Sequence, residues 1–168
     1  DSLEHCSWLA LAGDTRDYQP KVVEKILQNG FYVCRSIAGF ERTPLEEASP
    51  SHRFWNDYAV LRNMVRDGVK LIAGSDSGID YTPIDGLAYT LETMAGFGEM
   101  PFSQVIQSAT ITAAEGIGIE DMVGSLEPGK VADFIVVDRN PLEDLTVLRN
   151  VQYVIQAGSI VAKQGRLV

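Results

Sequence analysis

One segment limits what this chain can fold into more than any other: Lys70-Leu71-Ile72-Ala73-Gly74-Ser75-Asp76-Ser77-Gly78. An uninterrupted apolar run suits a strand buried on both faces, the habit of a parallel sheet, and here it stops at an acid bracketed by glycines. Near the amino end, Asp1-Ser2-Leu3-Glu4-His5-Cys6 stops in the same way at a histidine. Two metal-compatible side chains are thus expected at the ends of two strands, and in parallel α/β folds the carboxyl ends of strands are where ligands bind.

Around these runs the chain alternates strand-like and helical patterns, the signature of repeated strand-helix units. A strand over Leu3 to Cys6 leads to a helix from Pro20, with Val22, Val23, Ile26 and Leu27 on one face and Asn29-Gly30 as its stop. Phe31 to Ile37 reads as the second strand. A helix over about Phe54 to Asp67 carries Trp55, Tyr58, Leu61 and Val65 as an inward stripe. Val69 to Gly74 is the third strand, followed by helices over Pro83 to Ala95 and Pro101 to Glu115. The texture then changes: Leu126-Glu127-Pro128-Gly129 is a turn, Ala132 to Asp138 a strand, and Val151 to Ile155 with Ser159 to Ala162 a hairpin closed at Ala157-Gly158.

With 168 residues, 45% of them apolar, the chain can build one core and a small appendage. A net charge of -9 disfavours nucleic acid and anionic membrane surfaces as partners. The longest apolar runs fall far short of the roughly 20 residues that span a bilayer, so no transmembrane helix is expected. Cys6 and Cys34, both in strand-like contexts, read as reduced, buried thiols and point to a cytoplasmic setting. Gly74, Gly78, Gly116 and Gly118 form no phosphate-binding fingerprint.

Ser2-Leu3-Glu4-His5, Ala73-Gly74-Ser75-Asp76-Ser77-Gly78 and Gly124-Ser125-Leu126-Glu127-Pro128-Gly129-Lys130-Val131-Ala132-Asp133 together resemble the amidohydrolase superfamily, nearest its imidazolonepropionase-like and metal-dependent prolidase-type branch. The most specific stretch runs from Ala109-Thr110 through that turn to Asn140-Pro141-Leu142. The resemblance implies a (β/α)8 TIM barrel with one or two divalent metals, most simply zinc, at its carboxyl face. By motif, His5 matches the metal-binding histidine of the sixth strand, and Asp76 the aspartate of the eighth, both metal ligand and catalytic proton carrier. No His-x-His pair occurs, and the only other histidine is His52. A barrel of this kind needs about 250 residues. The chain therefore reads as the C-terminal part of a longer enzyme: residues 1–124 hold strands six to eight, and residues 125–168 the C-terminal strands of a small composite β-sandwich.

Zinc lowers the pKa of bound water to about 7 and polarises a carbonyl, so the implied reaction is hydrolysis of a carbon-nitrogen bond in a dipeptide-like or other small amide. From the residues alone Asp76 serves equally well as a turn residue between glycines, and His5 reads more readily as a core histidine. His52 reads as a loop residue, Glu46-Glu47 as a solvated loop, Arg35 and Arg53 as carboxylate-pairing or structural cations, and Tyr81 as a pocket or packing residue. The expected partners are the substrate and the missing N-terminal part of the barrel, in the same or a companion chain, and homo-oligomer formation is compatible with both. The alternative is a catalytically inactive fragment or interaction protein that keeps the fold. A deaminase or other ring-opening hydrolase would share the metal chemistry.

Overall fold

The computed structural model describes residues 1–8, 17–36, 55–78 and 84–168. His52, Arg53, Glu46, Glu47 and Tyr81 lie outside them. Three strands, β1 (Ser2–Glu4), β2 (Tyr32–Ser36) and β3 (Lys70–Gly74), form a parallel sheet in the order β1-β2-β3. Helices α1 (Pro20–Gln28) and α2 (Trp55–Arg66) connect them. Pro20 starts α1 where a missing N–H costs nothing, and Gly30, at φ 66, ends it in the left-handed region.

The register decides which side chains face which way. Leu3, Val33 and Leu71 lie level across the three strands, and the next level is Glu4, Cys34 and Ile72. Side chains alternate along a strand, so these two levels point to opposite faces. The first joins the core with Val23 and Ile26 of α1, Leu61 and Met64 of α2, and Met94 and Val105 of two later helices. Those helices are α3 (Leu87–Gly96) and α4 (Phe102–Ser108). The face bearing Glu4, Cys34, Ser36 and Gly74 is turned away from them.

Helix α5 (Ile111–Ile117) lies across the amino ends of β2 and β3. Tyr32 donates its hydroxyl proton to Glu115 at 3.0 Å and accepts from Lys70 Nζ at 3.2 Å. Gly116 permits this approach, since a Cβ there would fall 2.3 Å from Ile72 Cδ1. One helix was expected over 101–115, but the chain breaks at Ala109-Thr110. The Thr110 hydroxyl donates to the Ile106 carbonyl at 2.8 Å, and Thr110 itself leaves helical space at φ -131, ψ -103. The break lets α4 cover the outer face of the sheet while α5 closes its end.

The remainder is a four-stranded antiparallel sheet, β4 (Phe134–Val136), β5 (Tyr153–Gln156), β6 (Ser159–Lys163) and β7 (Arg166–Leu167), in sequential order. The expected hairpin is present: Ala157 (φ 47) and Gly158 (φ 79) make the two-residue turn, and Gln164-Gly165 repeats the geometry to add β7, which the sequence pattern did not suggest. β4 is shorter than the strand expected over 132–138. A 3-10 helix at Leu145–Arg149 docks this unit on α3, where Arg149 makes a two-pronged contact with Glu92 and stacks 4.6 Å over the Tyr89 ring.

The expected inward faces need two corrections. Val23 and Ile26 are buried, but Val22 and Leu27 of the same stripe are exposed. In α2, Tyr58 and Leu61 are buried as expected and are joined by Val60 and Met64, whereas Val65 is only partly covered.

Candidate active site at the carboxyl rim of the parallel sheet

β1 ends at Glu4, and the next residue, His5, takes φ 64. Cys6 follows at φ 44, and Asp76, two residues past the end of β3, has φ 52. Left-handed backbone in a non-glycine residue costs on the order of 1–3 kcal/mol, and such residues cluster where function fixes a side chain. All three leave the same rim. Within each strand the chain runs toward it, β1 and β3 are the outer strands, and β2 lies between them. His5 and Asp76 are both exposed there.

β2 supplies the contacts of His5. The His5 backbone N–H donates to the Cys34 carbonyl at 2.9 Å, extending the ladder one step beyond the strand. Arg35 Nη1 donates to the His5 carbonyl at 2.6 Å. The imidazole Nδ1 lies 3.0 Å from the Ser36 hydroxyl. Ser75 and Ser77 flank Asp76 and join through their hydroxyls at 3.0 Å, leaving its carboxylate outside that bond.

Cys34 occupies the middle of the same face. Burial, a hydrogen bond to Glu4, the Glu4 charge and then the Asp76 charge push its thiol up to about 12. It is therefore a neutral thiol at ordinary pH. Cys6 is also raised, chiefly by burial, and both cysteines are free and half-buried. Cys6 lies beyond the end of β1 rather than within a strand as expected.

Arg35 takes the structural one of the two roles expected for it. At 5% exposure it is a buried clamp on the His5 backbone, not a substrate-facing cation. The alternation Tyr32-Val33-Cys34-Arg35-Ser36 carries the signal: Arg35 is in phase with core Val33, and Ser36 with Cys34. That phase would have separated Arg35 from the open face and singled out Ser36, which sequence reasoning passed over.

An imidazole and a carboxylate suit a hard or borderline divalent cation. No group of three or more His, Cys, Asp or Glu side chains able to hold an ion occurs among the described residues. His5 and Asp76 thus fit part of a cation site, not a whole one, as expected when further donors come from elsewhere. A cavity of about 940 Å³ lies apart from this rim, between α3 and the antiparallel sheet. Its lining, including Leu87, Leu91, Phe134, Ile135 and Val154, is mainly apolar and contains neither His5 nor Asp76. It brings together no nucleophile and base, and we do not assign it the chemistry.

The stretch most specific in sequence proves to be architecture. Lys130 donates to the Ser125 hydroxyl at 2.7 Å, and Ser125 donates to Glu127 at 2.6 Å, tying off the turn. Asp133 accepts the Ala157 N–H at 2.7 Å and so holds the β5–β6 turn. Asn140 accepts the Leu142 N–H at 3.0 Å, shaping the turn through Pro141.

A family model described as the amidohydrolase family matches residues 14–161. The chain belongs to the amidohydrolase family. It is 29% identical over 114 residues to an imidazolonepropionase from Treponema denticola, an alignment covering 66% of this chain and 28% of that protein. To a 5-methylthioadenosine/S-adenosylhomocysteine deaminase from Teredinibacter turnerae it is 36% identical over 88 residues, covering 48% of this chain and 20% of the other. A solved Xaa-Pro dipeptidase with methionine bound in its active site superposes with a TM-score of 0.74 at 31% identity, covering 95% of this chain and 39% of that one. This amidohydrolase chain thus spans well under half the length of these relatives, and its fold is α/β. No helix of its described residues is long and apolar enough to cross a membrane.

Proposed function

We propose that this chain is the C-terminal portion of a metal-dependent hydrolase of carbon-nitrogen bonds. In this reading β1, β2 and β3 are strands six, seven and eight of a (β/α)8 barrel, and residues 125–168 are the C-terminal strands of a small β-sandwich. The observation that carries it is the placement of His5 and Asp76, both with left-handed backbone, at one rim of one parallel sheet. That is where barrel enzymes place their chemistry. Among the described residues no strand pairs with the outer edges of β1 and β3, which supports completion by upstream strands, because parallel sheets are stable only when their edges and faces are covered. Residues Phe134, Ile135 and Val136 of β4 are 38%, 48% and 37% exposed, and the upstream segment is the natural cover for them and for the neighbouring cavity. The free thiols favour a cytoplasmic setting.

His5 and Asp76, with donors from upstream, would hold a divalent cation, which when bound would supply an acidified water and polarise the scissile carbonyl. Asp76 accepts a proton from the attacking water as the carbon-oxygen bond forms, then delivers it to the leaving nitrogen as the carbon-nitrogen bond breaks. Its exposed position, clear of the Ser75–Ser77 bond, leaves it free to exchange that proton. His5 would hold the cation and take no part in the proton transfer. The substrate class is a small amide, dipeptide-like or cyclic, a reading supported by the relatives' names: a dipeptidase, an imidazolonepropionase and a deaminase.

That no group of three or more such donors is assembled among the described residues favours a second reading, an inactive protein that keeps the fold. One experiment decides between them. The complete protein is assayed for bound metal and for hydrolysis of a dipeptide and a cyclic amide panel, beside Asp76→Asn. Stoichiometric metal, with turnover reduced by about 10²-fold or more in the variant and unfolding unchanged, supports the enzyme. Absence of both metal and turnover in the complete wild-type protein supports the inactive reading.

A further inference from the structure

His5 is held on three sides by consecutive residues of β2: its N–H by the Cys34 carbonyl, its carbonyl by Arg35, and its ring by Ser36. The first two contacts fix an unfavourable backbone at φ 64. The third acts on chemistry, because a neutral imidazole carries one proton shared between two nitrogens, and only the nitrogen without it can bind a cation. Ser36 is placed for this by register. It pairs with Gly74, in phase with Cys34, so its side chain rises from the face turned away from the helical core toward the ring. Gly74 has no side chain to compete for that space.

We propose that Ser36 is a positioning residue for His5: its hydroxyl accepts a hydrogen bond from Nδ1–H, holding the ring in that tautomer and leaving Nε2 free to bind a cation. This rests on the reading of His5 as a ligand. In isolation imidazole favours the other tautomer, with the proton on Nε2, where it would block binding. The hydrogen bond to Ser36 reverses that preference before the cation arrives and restricts ring rotation. Partners of this kind are worth about 10–100-fold in metal affinity.

The test uses the complete protein stripped of metal. Zinc is titrated against a chromophoric chelator for wild type, Ser36→Ala, Ser36→Thr and His5→Ala, and the protonated ring nitrogen of His5 is identified by ¹⁵N NMR in the metal-free wild type. The expected results are Nδ1–H in the wild type, a loss of about 10–100-fold in zinc affinity for Ser36→Ala, near wild-type affinity for Ser36→Thr, and loss of the site in His5→Ala. Unchanged affinity in Ser36→Ala with the site lost in His5→Ala overturns the positioning role and leaves the ligand reading standing. Unchanged affinity in His5→Ala overturns the ligand reading, and the positioning role with it. Should Ser36→Ala fail to fold, Nε2–H in the wild type overturns the proposal by itself, and Nδ1–H there supports it.

Discussion

Gly74→Ala tests how tightly the rim is built. A Cβ at this position would lie 2.6 Å from Cys34 Sγ, with Ser36 Cβ the next neighbour at 3.9 Å. Comfortable contact begins at about 3.5 Å, so the misfit is roughly 1 Å and involves essentially one atom. Cys34 can retreat only by rotating its side chain and giving up its hydrogen bond to Glu4. Overpacking of this kind costs about 1–3 kcal/mol. Gly74 does not have a positive φ, so alanine adds no backbone strain and returns about 0.4–1 kcal/mol by restricting the unfolded chain. The net expectation is a loss of about 1–2 kcal/mol in urea unfolding of the complete protein. With Cys34→Ala the offending atom is gone, and Gly74→Ala becomes neutral or slightly stabilising. The coupling energy of the cycle is therefore about 2 kcal/mol. Activity follows the same pattern if the shift reaches Asp76, two residues along, since a misplacement of about 1 Å can cost 10²-fold. Equal destabilisation by Gly74→Ala in both backgrounds would refute the contact with Cys34 and the close approach of β2 and β3 at the rim.

Three further perturbations probe the supports of the fold. The bond from Arg66 and then that from Tyr18 hold the Asp67 carboxyl below the usual range, so the fold binds fewer protons than the unfolded chain in mild acid. Its stabilising contribution is present above the unfolded value of about 3.9 and disappears as pH falls through the lowered folded value; unfolding midpoints should accordingly fall less steeply below pH 4 in Asp67→Asn than in wild type. Arg149→Ala removes both the Glu92 pairing and the stacking on Tyr89, and should cost about 1 kcal/mol by urea unfolding, with only part recovered by Arg149→Lys, which cannot pair in two prongs. Asp133→Ala should cost about 1 kcal/mol and raise amide exchange at Ala157, while Asp133→Asn, which keeps an acceptor, should retain most of the protection.

What the sequence disclosed follows from what each signal encodes. The alternation of apolar runs and helical periods reports burial, so the parallel layer and its connecting helices were legible, as was the Ala157-Gly158 turn, whose geometry favours a glycine. The break at Thr110 was not, because threonine is tolerated within helices and stops this one only through its bond to Ile106. Nor was the exposure of Val22 and Leu27, for apolar residues show which face of a helix is greasy but not how wide a neighbour covers it. At the site, His5 and Asp76 were marked by residue type at the ends of apolar runs. The residues that hold His5 were invisible to that rule, since Ser36 and Arg35 are common residues whose roles come from strand phase and from pairing with a strand some thirty positions away in sequence. The division has a consequence for reading related chains. The later part of the most specific stretch, Ser125 through Leu142, ties turns together, whereas the residues that would set reactivity sit in short segments that are individually weak in sequence. A relative that keeps the long motif and loses His5 or Asp76 should fold as this chain does and bind no cation at this rim, so the rim decides whether activity is inherited along with the fold.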